Sequence, residues 1–230
     1  CALSVALVAG FVARQVTART PLLPLRLLRS RNLTGANAVQ ALMVAGAFTF
    51  LFLSALYTQR VLGYGASQVG LAILPTALVI GAVSLGLSAP LSARIGPRAM
   101  VLGGLALMAL GLGLLGRLPV DGGYVTDLLP AVVVLGAGFG LAMPALTGLG
   151  MSGATAADSG VASGLFSTTQ QIGGALGLAV MATLAASRTD ARLAAGATEA
   201  AALTAGYRLA FTVAAGVVLV ALALAAAVLR

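Results

Sequence analysis

Five polar residues follow one another inside an apolar stretch. Ser167, Thr168, Thr169, Gln170 and Gln171 stand within "ASGLFSTTQQIGGALG", Ala162 to Gly177. Hydroxyls and carboxamides carry no charge at neutral pH, so the chemistry open to this patch is hydrogen bonding. Asn37 and Gln40 form a second patch, three residues apart and hence on one helical face. Groups suited to catalysis are sparse. The chain has no His, its one Cys is residue 1, and its five acids (Asp121, Asp127, Asp158, Asp190, Glu199) lie near the borders of the apolar runs. That rules out a Cys/His metal cluster and leaves an enzyme without a nucleophile or base inside the membrane. The reading is of a non-enzyme with no cofactor and no metal.

The elements that position these residues follow from composition. Of 230 residues, 60% are hydrophobic and 8% charged, and the mean hydropathy is +1.08. Eighteen charges cannot solubilise so apolar a surface, which makes a lipid bilayer the solvent. All 13 basic residues are arginines scattered between apolar runs, without the clustered basic face that nucleic-acid binding needs. Six runs, Ala36–Thr58, Gln68–Pro90, Ala99–Leu118, Asp127–Gly150, Gly160–Ser187 and Tyr207–Leu229, each approach or exceed the ~20 residues that span a bilayer as a helix. None alternates as a barrel strand would. The expected fold is an all-α polytopic membrane protein, a six-transmembrane-helix bundle over residues 36–230. Residues 1–13, too short to span, read as the end of a preceding transmembrane helix, and 14–35 as a basic cytoplasmic linker. Within it, "PLLPLRLLRSRNLTGAN" suits either an interfacial helix or a plain linker whose charges fix topology.

Arg14, Arg19, Arg26, Arg29 and Arg31 precede the first full span, which places that connection in the cytoplasm. Threading six spans then gives eight arginines inside, five outside, and a cytoplasmic C-terminus. All four tyrosines (Tyr57, Tyr64, Tyr124, Tyr207) fall at the outer ends, where an aromatic belt would stand.

At 100° per residue, Ser163, Ser167, Gln170, Gln171, Gly174 and Gly177 share one side of the fifth span, with Leu165, Ile172, Leu176 and Val180 opposite. An unpaired carboxamide in hydrocarbon costs several kcal/mol, so this stripe must meet another helix or a water-filled path. Asp158 or Ser159 would cap the helix. Asn37 and Gln40 suit a cytoplasmic mouth or an ordinary interface. In the fourth span Gly136 and Gly140, four apart, allow close helix approach, and Pro144 should kink the helix because it cannot donate to Gly140. "LSARIGPR", Leu91 to Arg98, makes a tight turn at Gly96-Pro97. Its arginines suit either topology fixing or a cytoplasmic gate closed by Arg94 or Arg98 pairing with Asp158 or with an acid of the other half. The outer connection Ser187–Gly206 is Ala-rich, which suits a surface helix, and offers no evident chemistry.

"LSARIGPR" resembles a degenerate copy of the loop motif of the major facilitator superfamily: Arg94, Gly96 and Arg98 match, while Ala93 replaces an acid and Pro97 a basic residue. "PLRLLRSRNLTGAN", "VLGYGASQVGLAILP", "GRLPVDGGYVTDLLP" and "SGVASGLFSTTQQIGGALGLA" are similar to segments of EmrB/QacA-type fourteen-span drug–proton antiporters. The "IGGALG" portion echoes the antiporter motif, with Gly174 for its proline and Leu178 for its last glycine. The resemblance implies the C-terminal half of a major facilitator fold in the cell inner (plasma) membrane. It also implies proton-coupled efflux of amphipathic small molecules by alternating access against the N-terminal half. The path residues would be Asn37, Gln40, Ser167, Thr168, Gln170 and Gln171. The alternative is a non-transporting assembly or regulatory subunit, or an inactive truncated product.

Overall fold

The computed structural model describes residues 31–152 and 158–229. The expectations for residues 1–13 and for most of the 14–35 linker lie outside the described residues. Six helical spans are long and apolar enough to cross a membrane, and no strand occurs among the described residues. They are α1 (Arg31–Arg60); α2 (Ala66–Ala82), joined through a π turn (Val83–Leu87) to α3 (Ser88–Ile95) as one span; α4 (Pro97–Leu115); α5 (Leu129–Met151), entered through a second π turn (Tyr124–Leu128); α6 (Ser159–Ala194); and α7 (Glu199–Val228). The shortest, α4, has 19 residues, about 28 Å of helix against a hydrocarbon core of about 30 Å.

Two helix ends run past the expected borders. Residues 31–35, assigned to the linker, form the first turns of α1. The 187–206 connection is mostly helix: α6 continues to Ala194, and the chain reverses over a short turn with Gly196 at φ +81° before α7. Thr198 caps α7, accepting from the Ala201 N–H.

The first and last three spans repeat part of one packing pattern. α1 packs on α6 and α7 as α5 packs on α2 and α4, while the pairs α1/α5 and α4/α7 bring like elements together. Small residues make these crossings tight, because association in lipid depends on close packing. A Cβ on Gly104 would stand 2.6 Å from the Gly138 carbonyl oxygen, and one on Gly138 would stand 2.6 Å from that of Gly104. Gly136 and Gly140 approach α2 as their spacing predicts; Cβ atoms there would lie 3.2 and 3.1 Å from the Thr76 and Ile80 carbonyls. Around these crossings Met43, Met100, Leu105, Met108, Leu112 and Phe211 are fully buried.

Each end of the bundle is tied. At one, Arg31 and Arg98 donate to the Ala227 and Ala226 carbonyls, at 2.9 and 2.7 Å. Cations there suit both the orphan carbonyls and the negative end of the α7 dipole. At the other, the Tyr57 hydroxyl donates to Pro119 O (2.8 Å) and Thr189 to Ala202 O (3.3 Å). All four tyrosines gather at this end, but not as one belt. Tyr57 and Tyr207 are 1% and 4% exposed and plug the bundle. Only Tyr64 and Tyr124 are half-buried, their rings 6.5 Å apart.

Candidate functional site

The two predicted polar patches belong to helices that pack on each other, α1 and α6. Their crossing is made by glycines. A Cβ on Gly173 would lie 2.8 Å from Ala41 Cα and one on Gly177 2.2 Å from Ala45 Cβ; Gly174 lies under the Phe48 ring. This divides the predicted stripe. Gly174 and Gly177 close against α1, Gln170 is half-buried at the seam, and Ser163, Ser167, Thr168 and Gln171 are exposed on the flank of α6. Thr168 donates to its own Gly164 carbonyl at 2.9 Å, a local bond that lets a hydroxyl stand in an apolar helix.

Asn37 and Gln40 have the opposite environment. They are 8% and 1% exposed, buried inside the bundle. The Asn37 amide donates back to Leu33 O at 2.9 Å, but its Oδ1 has no partner among the described residues, and neither does either polar atom of the Gln40 amide. Gln40 lies one turn from Ala36, and Gly150 packs beside both Ala36 and Phe166 where α1, α5 and α6 converge. An amide held there without a partner costs roughly 1–3 kcal/mol, so Gln40 is not explained by stability.

Between α1, α2 and α5 runs a small apolar cavity of about 170 Å³, lined by Phe48, Leu51, Thr76, Ile80, Leu135 and Phe139. The Thr76 hydroxyl is buried there without a partner among the described residues. Drug-sized ligands occupy about 300–1,000 Å³, so this cavity can hold only part of one.

The third feature pairs two backbone irregularities. α5 continues through Pro144 to Met151. The Gly140 carbonyl that Pro144 leaves free accepts from the Ser84 hydroxyl at 3.1 Å. Ser84 lies in the π turn Val83–Leu87, where the Ser88 N–H reaches back five residues to Val83 O. Pro90, just beyond, has no N–H for the Gly86 carbonyl, so the chain is loosened there as well.

At the Arg31 end, Gly96 alone links α3 to α4, at φ +83° and ψ 154°, with Pro97 as the first residue of α4. Arg94 and Arg98 are exposed. Arg98 donates a hydrogen bond to Ala226 O. Asp158 is buried at the N-cap of α6; its backbone carbonyl accepts from Ala162 N–H, but its side chain makes no cap bond.

A family comparison matches residues 5–178 to the Major Facilitator Superfamily. The chain belongs to that superfamily. The match takes in α1 to α5 and the polar half of α6, including Gly173 and Gly177. Related superfamily proteins include "Uncharacterized MFS-type transporter EfpA" of Mycobacterium tuberculosis, 33% identical over 60% of this chain and 26% of its own. The "Puromycin resistance protein pur8" of Streptomyces alboniger is 36% identical over 63% of this chain and 29% of its own. The "Cephamycin export protein CmcT" of Amycolatopsis lactamdurans is 35% identical over 59% and 28%. The chain thus matches just over a quarter of the length of these relatives.

Within this superfamily member, sequence reasoning singled out both polar helices, the Gly96 turn and Pro144. It passed over Ser84, Thr76 and the aromatic cavity. A proline inside a membrane span announces an orphan carbonyl four residues earlier, so a donor to Gly140 was predictable. Which neighbour supplies it was not.

Proposed function

We propose that this chain forms the C-terminal half of a drug exporter that works by alternating access, rocking against an N-terminal half of the same transporter. The observation that carries this is the exposed row Ser163, Ser167, Thr168 and Gln171 on α6. In a membrane span such a row must be covered by protein or water. The half-bundle leaves it open, while other exposed faces present Leu110, Leu219 and Val220, suited to lipid. The row and the Phe48–Phe139 cavity would take the polar and apolar parts of an amphipathic substrate. The relatives named for puromycin resistance and cephamycin export support that substrate class. The five acids lie near the ends of the apolar runs, so the proton-coupling carboxylate would come from the other half. The excess of arginine at the Arg31 end supports a cytoplasmic C-terminus in the cell inner membrane. Pro144 and the π turn at Ser84 would serve as the bend that opens and closes.

The test is efflux and resistance in the complete protein. Ser167→Leu and Gln171→Leu, on an exposed face, should leave expression unchanged and alter substrate range or lower efflux at least tenfold. If both keep the parent's range and rate, the path does not run along this face.

A further inference from the structure

The outer connection, empty of chemistry in the sequence, carries a basic groove. α6 runs past Ser187 and presents Arg188 and Arg192, four apart, to α7, where Arg208 faces them. With Ala205, Leu209 and Thr212 these arginines line a groove of about 500 Å³. No carboxylate is among the described residues lining it; Asp190 lines a different groove with Arg60 and Tyr207. Arg208 is held in place, its Nε donating to Leu118 O. Three guanidinium groups in one acid-free groove repel one another, which an anion would relieve.

A second groove, about 350 Å³, lies between α4 and α7 beyond this one. It is headed by Arg117 and walled by Leu110, Leu114, Leu219 and Leu222. Leu219 is eleven residues from Arg208, about 16 Å down the α7 axis or half the ~30 Å hydrocarbon core, the depth of one leaflet. Arg208, Thr212 and Leu219 share one face of α7, so the basic head and the apolar groove are in line. Gly113 floors the apolar part, with open space where its Cβ would be.

We infer that this is a binding site for an anionic phospholipid, its phosphate on Arg188, Arg192 and Arg208 and an acyl chain along Leu110, Leu219 and Leu222. On the orientation proposed above the lipid belongs to the outer leaflet. The apolar continuation favours lipid over a soluble anion.

The test counts lipids retained on the complete protein in detergent by native mass spectrometry, with phosphatidylglycerol or phosphatidylcholine added. Phosphatidylglycerol should be retained about a hundredfold better, the combined contribution of three arginines to anionic lipid binding. Arg188→Gln/Arg192→Gln should abolish that preference while Arg60→Gln keeps it. Gly113→Leu, filling the groove, should reduce retention of both lipids. Equal retention of the two lipids, or the parent's preference in the double variant, overturns the proposal. So does an unchanged lipid count in Gly113→Leu. Displacement of phosphatidylglycerol by millimolar inorganic phosphate would reassign the groove to a soluble anion and overturn the lipid reading. Each readout is independent of transport.

Discussion

The Ser84 hydroxyl donates at 3.1 Å to the carbonyl of Gly140, the residue four before Pro144. A side chain from one irregular helix thus satisfies the backbone of another, where no water would serve the orphan group. Ser84→Ala should lower stability by about 0.6–1.7 kcal/mol, the range for hydrogen bonds between membrane helices. Pro144→Ala restores an N–H to Gly140, so Ser84→Ala in that background should cost much less. A double-mutant cycle by reversible denaturant unfolding in micelles checks this; equal costs in both backgrounds would mean the bond is idle.

Gly104 and Gly138 should respond very differently from their neighbours. Gly138→Ala places a methyl 2.6 Å from backbone and must part α4 from α5, at a cost of about 1–3 kcal/mol or more. Gly103, the neighbour of Gly104, faces open space; Gly103→Ala should be neutral or stabilising by up to about 1 kcal/mol. Melting temperatures of the two variants side by side decide it.

Gly96 is required for its backbone and not for its space. Nothing lies within 4 Å of a Cβ there, yet φ +83° with ψ 154° belongs to a region nearly closed to L-residues. Gly96→Ala should cost about 1–3 kcal/mol. Gly96→Asn should rescue nothing, since asparagine tolerates the left-handed helical region and not this one. An asparagine variant as stable as the parent would show that the turn relaxes.

Gln40 offers a test that separates stability from function. Gln40→Met keeps the volume and removes an amide with no partner among the described residues. Folding stability should stay level or rise by about 1–3 kcal/mol. If the amide serves the transport cycle, efflux should fall at the same time. A variant less stable than the parent would mean Gln40 has a partner in the folded protein.

Much of the fold was legible in the chain. Apolar runs of spanning length, bounded by arginine and turn residues, admit only membrane helices, because hydrocarbon leaves the backbone no partner but itself. Gly136 and Gly140 announced a close crossing, and Gly96-Pro97 a tight turn. The borders were less legible: α6 runs on to Ala194 through Arg188 and Arg192, since alanine-rich sequence continues a helix without an apolar signal. The tyrosines were placed at one common end of the bundle, but burial of Tyr57 and Tyr207 depends on the helices around them.

The polar patches mark the limit. Sequence alone determined that Ser167, Gln171, Asn37 and Gln40 are polar groups within membrane helices and must be covered. A helical wheel gives the angle of a side chain about its own axis and nothing about what stands opposite. Tertiary structure decided that Gly173 and Gly177 turn one edge of α6 onto α1, bury Gln40 inside the bundle and leave Ser167 and Gln171 uncovered. It also decided that Ser84 meets Gly140 and that three arginines from two helices share a groove. Those relations join residues tens of positions apart or on separate helices, and only packing of helix against helix brings them together.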